Sequence, residues 1–262
     1  FLETPTQQTP FDTMCFDQKS SGGFAALGLF LSVFVYKRTG NTALAGGIFF
    51  FFTMEFLQFV QYFFIDDCDS RVNQVLTLVG FLHICLQPYF THVLNTSLTK
   101  SERVLGQFRA VKKLALLGGA LLFARYFFAD WQMSPPTEAC PSHEWLRGER
   151  LCTYSGRFHL AWSVPMYDPT YYSPGSAIHS FLMFAPFFIF NKPMMWVQGA
   201  FLFLTGPALA AYVTPNLQEQ ASIWCFFSIS QICVMLWLIR SNLKGEGKGA
   251  AAKGGKKGGK AN

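Results

Sequence analysis

Seven apolar stretches divide the chain, at roughly 21–37, 43–65, 73–95, 111–129, 175–190, 194–213 and 220–240. Several reach the ~20 residues that span a bilayer core. Polar positions within them recur at helical spacing or not at all, and none shows the sustained alternation of a membrane strand. Backbone amides in lipid must pair internally, which leaves helices. The pattern predicts an all-α, polytopic membrane protein, a bundle of about seven transmembrane helices over residues 21–240. An outer N-terminal segment (1–20) precedes it and an inner tail (241–262) follows. The long connection, 130–173, holds Trp131, Trp145, Trp162, Tyr154, Tyr167, Tyr171 and Tyr172, which is material for a small packed cap. Prolines at 135, 136, 141, 165 and 169, and at 174 just beyond it, argue against regular structure in it.

Composition supports the same class. Half the residues are hydrophobic (51%), 30 are Phe, and only 14% are charged, too few for the polar shell of a soluble domain. The basic residues give the orientation. With seven spans, fifteen cations fall on one side against two carboxylates, and five cations against twelve carboxylates on the other. The C-terminus is therefore expected on the cytosolic, stromal or matrix side, and the N-terminus outside or in a lumen. A start at Phe1 fits removal of a targeting peptide or a partial chain. The sequon Asn95-Thr96-Ser97 falls on the inner side and is expected to be unmodified.

Cys85, Cys225 and Cys233 lie within spans and read as small apolar packers. Cys15, Cys68, Cys140 and Cys152 all fall outside, an even number that suits two disulfides in an oxidising compartment. Three pairings are open; in one, Cys140–Cys152 closes the loop on itself and Cys15–Cys68 ties the N-terminal segment to the end of the second helix. Cys140, His143, Cys152 and His159 are alternative zinc ligands, but their spacing matches no established zinc pattern. His143 and Glu144 are candidates for acid–base work. Against that, Glu138, Glu144 and Glu149 alternate with Arg147 and Arg150 as in a solvated charged face.

Several polar residues lie inside the apolar runs. Glu55, Gln58 and Gln61 or Tyr62 share one helical face, and His83 and Gln87 share another, just before Pro88. A charge facing lipid costs at least ~2.5 kcal/mol, so these faces should point into the bundle. Depth allows Arg125 to reach Glu55. Glu55, Gln58, His83, Gln87 and Arg125 form the candidate intramembrane polar site, for transport, proton relay or pigment binding, or else a structural cluster that ties helices together. The final span has no lysine to hold retinal. The tail, KGEGKGAAAKGGKKGGKAN, should be drawn to an anionic surface: acidic protein, anionic lipid or nucleic acid.

Segments such as Met54-Glu55-Phe56-Leu57-Gln58, Ile65-Asp66-Asp67-Cys68, Leu82-His83-Ile84-Cys85-Leu86-Gln87-Pro88, Cys140-Pro141-Ser142-His143-Glu144-Trp145 and Phe158-His159-Leu160-Ala161-Trp162 resemble an uncharacterised family of multi-pass membrane proteins of unknown function. The resemblance implies a seven-helix fold and supplies no activity. Three functions are then expected in order. First is a non-catalytic subunit of a large energy-transducing or organellar membrane complex, with bound lipid or pigment. Next is a small transporter or channel using the polar site. Last is a membrane enzyme under the outer loop.

Overall fold

The computed structural model describes residues 17–97, 99, 101–129, 144–167, 176–189 and 193–240. Seven helices run through them: α1 (Gln18–Thr39), α2 (Thr42–Gln61), α3 (Arg71–Thr96), α4 (Glu102–Phe127), α5 (Ser176–Ile189), α6 and α7 (Leu217–Leu238). α6 starts at Pro193–Phe203, passes through a π-helical turn at Leu204–Ala208 and ends with Leu209–Val213. Cys15, Cys140, His143, most of the N-terminal segment and the 241–262 tail lie outside the described residues.

Local chemistry sets the helix ends. Asp17 caps α1 by accepting from Ser20 N at 2.9 Å, which holds its carboxyl below the usual range. Gly40, at φ 68°, takes the left-handed conformation that ends α1 behind Lys37 and Arg38. Asn41 caps α2 and also donates to the Ser97 carbonyl at 2.9 Å, joining the α1–α2 turn to the end of α3.

Among the described residues, five helices are long and apolar enough to cross a membrane: α1, α2, α3, α6 and α7. α4 has 26 residues, but its first half carries Arg103, Arg109, Lys112 and Lys113. α5 has 14 residues, about 21 Å of helix against a ~30 Å hydrocarbon core. The apolar surface of the bundle is extensive, with Phe30, Phe34, Phe181, Leu204, Tyr212 and Trp237 exposed.

The cap departs from the all-α expectation. Cys152–Ser155 (β1) and Leu160–Ser163 (β2) form an antiparallel hairpin, with Cys152 opposite Ser163. Four-residue strands are too short for their periodicity to register in sequence. All four residues of β2 are buried, and β2 packs on α7. Leu146, Leu160, Trp162, Val164 and Met166 from the cap share one core with Met54, Phe81 and Leu122 from the helices. Cap and bundle are therefore one hydrophobic unit.

Candidate functional site

The polar face of α2 meets the cap. Glu55, Gln58 and Gln61 are all buried. Gln58 accepts from His159 Nε2 at 3.0 Å and donates to the Ser222 carbonyl at 3.4 Å. That orientation puts the His159 proton on Nε2 and leaves Nδ1 to accept from the Tyr62 hydroxyl, 2.5 Å away. Gln61 accepts from Trp162 Nε1 at 3.1 Å and donates to Thr153 Oγ1 and the Leu76 carbonyl, each at 3.1 Å. Burial pushes the Tyr62 phenol upward, and the carboxylates of Asp17, Glu55 and Glu219 add to it.

Arg125 pairs with Glu144, not with Glu55. Its guanidinium holds the Glu144 carboxylate through two bonds, 2.5 and 2.8 Å long, and donates through Nε to the Tyr167 carbonyl at 2.8 Å. Arg125 is 5% exposed and the Glu144 side chain 16%, so Glu144 is no part of a solvated charged face, whereas Glu149 and Arg150 are exposed as expected. The loop folds back over the end of α4 and brings its own counter-charge.

The cysteine arrangement also differs from the pairing considered first. Cys68 is bonded to Cys152, so neither Cys140–Cys152 nor Cys15–Cys68 forms. The reason lies in the hairpin's seat: Asp66, at φ 67°, accepts from Ser155 N at 2.7 Å and donates its own N–H to the Thr153 carbonyl at 3.1 Å. These bonds lay β1 beside residue 68. The zinc alternative loses two of its ligands, because the Cys152 sulfur is in the bond and both His159 ring nitrogens have partners. Among the described residues no group of His, Cys, Asp and Glu is placed to hold a metal.

Two residues of this region were not anticipated. Asn73 accepts from Thr153 N at 2.9 Å and donates to the Thr153 and Phe64 carbonyls, each at 2.7 Å. Glu219, fully buried near the start of α7, accepts from the backbone N–H of Phe158 and His159 at 2.5 and 2.8 Å and from Thr214 Oγ1 at 2.7 Å. A Cβ on Gly156 would collide with its carboxylate, which is why glycine begins the hairpin turn. The sequence does carry a helix-start signal for Glu219, as the third residue after the Asn216 cap. Nothing in it points to the loop amides that Glu219 receives.

The remaining candidates do not converge. His83 donates through Nε2 to the Phe50 carbonyl at 2.8 Å and stacks on the Phe50 ring. Gln87 donates to Cys225 Sγ at 3.0 Å. Both Glu55 carboxylate oxygens are buried without a hydrogen-bond partner among the described residues. Among those residues, no hydrogen bond or ion pair joins any two of Glu55, Gln58, His83, Gln87 and Arg125.

Two cavities lie in the helix layer. One, of about 50 Å³, is bordered by α2, α3, α5, α6 and α7 and includes Thr91, Met183, Gln198 and Gln231 in its wall. The other, of about 20 Å³, sits under the cap against Trp145, Met166 and His179. Gln87 and Trp224 line both.

Residues 19–244 match the profile described as a family of unknown function (DUF5765). No curated protein and no solved structure matches the chain.

Proposed function

Because the chain belongs to the family of unknown function matched over residues 19–244, its role has to be read from its own geometry, and we propose that it is a non-catalytic membrane subunit. In this reading all seven helices cross the membrane, with the cap on the outer or lumenal side. The apolar second half of α4 lies in lipid while the lysines and arginines of its first half snorkel to the inner surface. The short α5 is shielded by α3, α4 and α6, its packing neighbours. The basic tail docks on an acidic surface of a neighbouring subunit, and bound lipid fills the aromatic shell.

One observation carries the reading. The side chains best suited to catalysis or transport are engaged in holding the cap: Gln58 with His159, Gln61 with Trp162 and Thr153, Arg125 with Glu144. A rigid outer lid on a membrane anchor is what such bonds make. The test is native electrophoresis of the gently solubilised endogenous protein. Co-migration with a large complex, lost or weakened on deleting 244–262, supports a subunit. Migration as a lone chain, unaltered by the deletion, rejects it.

Glu55 favours a second reading, a small transporter or channel, since an unpartnered acid inside a membrane bundle is a default candidate for function. Under that reading Glu55→Gln abolishes flux in proteoliposomes without unfolding the protein.

A further inference from the structure

The two cavities carry polar atoms that the protein itself leaves unmatched. Gln87 and Gln198 donate only to sulfur, Cys225 Sγ at 3.0 Å and Met235 Sδ at 3.6 Å, and sulfur is a weak acceptor. Among the described residues the Oε1 atoms of both glutamines, the Thr91 hydroxyl and the Trp224 indole N–H have no partner. His179, 5% exposed and lining the upper cavity, leaves Nε2 unpaired. His179 Nε2 is fully buried, where an unpaired atom is costly and uncommon; the other four atoms belong to residues that line the larger cavity, a single slot.

The rest of the wall defines the guest. Phe51, Leu94, Phe184, Leu202 and Ile232 are apolar, and among the described residues no lysine, arginine, aspartate or glutamate lines either cavity. A charged ligand would be desolvated there without a counter-charge. Met183 and Met235 are pliable wall elements. The adjacent π turn of α6 lets Gly206 approach the Trp224 indole, where a Cβ would collide, and Gln231 satisfies the carbonyl and hydroxyl that the turn presents at Leu202 and Thr205. Turns of this type concentrate at functional sites. The larger cavity is partly open at the bundle surface, so the enclosed space need hold only a head group and its first carbons.

We propose that this slot binds an uncharged single-chain lipid, a long-chain alcohol or its ester, whose hydroxyl or carbonyl head is held by Gln87, Thr91 and Gln198. The proposal requires the membrane-embedded part of the reading above and is independent of any role as a subunit.

The test uses the full chain in nanodiscs and a long-chain alcohol carrying a photoactivatable diazirine. Crosslinks should map to peptides of α3, α6 and α7. They should be competed by unlabelled hexadecanol and not by hexadecyl phosphate at the same concentration. The near-isosteric pair Thr91→Val with Gln198→Met should lower labelling about tenfold, the equivalent of one or two lost hydrogen bonds, with an unchanged melting temperature. If that variant does not fold, the wild-type competition decides. Labelling confined to the lipid-exposed surface around Phe181 and Leu204 and not competed by hexadecanol, or equal competition by the phosphate, overturns the proposal. So does labelling that the folded double variant retains. Native electrophoresis reports on the subunit role separately.

Discussion

Arg125 and Glu144 stand nineteen residues apart in the chain and face each other through two parallel charge-assisted bonds of 2.5 and 2.8 Å. The pair fixes the loop after α4 to that helix's end. The Arg125 backbone carbonyl also receives the Tyr167 N–H at 2.9 Å, so the same residue grips both sides of the cap. Replacing Glu144 takes both charge-assisted bonds from a guanidinium that is 5% exposed, and replacing Arg125 takes both from the carboxylate. Glu144→Gln and Arg125→Met should each destabilise the protein by about 3–5 kcal/mol. The double variant Arg125→Met, Glu144→Leu should recover part of that loss. Melting in detergent, followed by tryptophan fluorescence, reads all three; a single variant that melts with the wild type would show the pair to be idle.

Tyr62 gives an alkaline signature. Its folded phenol titrates above the ordinary value of about 10, so the native state keeps a proton that the unfolded state loses. Stability is fully present below pH ~10 and falls as pH rises through the window above it, by at most about 1.4 kcal/mol per pH unit from this group. Tyr62→Phe should lose about 1 kcal/mol at neutral pH from the missing His159 bond. Its melting temperature should then fall less steeply than the wild type's above pH 10. Parallel melting curves for the two proteins would remove Tyr62 from the account.

The Cys68–Cys152 bond spans 84 residues. Digestion without reduction should yield a crosslinked peptide containing both. Alkylation of the unreduced, unfolded chain should label Cys85, Cys225 and Cys233 and spare these two. Cys152→Ala should cost about 2–4 kcal/mol, read as a melting temperature below that of the oxidised wild type.

Glu55→Gln separates structure from function directly. The wild-type carboxylate has no hydrogen-bond partner among the described residues, and the amide keeps its shape without its charge. The variant should melt at or above the wild-type temperature. A fall of several degrees would mean that Glu55 holds a partner of its own.

Asn95 tests orientation. Its sequon lies at the end of α3 that the Asn41–Ser97 bond joins to the α1–α2 turn, the end opposite the cap. Endoglycosidase treatment of protein from a glycosylating host should leave its mobility unchanged; a glycan on Asn95 would reverse the proposed topology.

What could be read from sequence was what repeats. Helical spacing placed Glu55, Gln58 and Gln61 on one face, and all three are buried together. The extent of the apolar runs located each described helix, to within a few residues except at the start of α4, which begins nine residues before its expected span. The cap was not legible in this way, because its contacts join residues far apart that share no period. Arg125 had a depth but no visible partner, and the nearest acid by depth, Glu55, was the wrong one. Asn73 looks like any polar residue in the first turn of a helix until Thr153 is laid against it. The count of membrane-crossing helices was legible only in part, since α5 is shorter and α4 more charged than their apolar stretches implied.

The bond from Cys68 to Cys152 encloses both α3 and α4. During synthesis it cannot close until both helices have been made and, under the proposed topology, until both have crossed the membrane and the chain has returned to the face where it began. The hairpin that carries Cys152 is thus a late arrival that meets a waiting thiol. Under that topology, closure records that two consecutive helices were inserted in the correct sense, and a chain that misplaced either one would keep Cys68 and Cys152 on opposite faces.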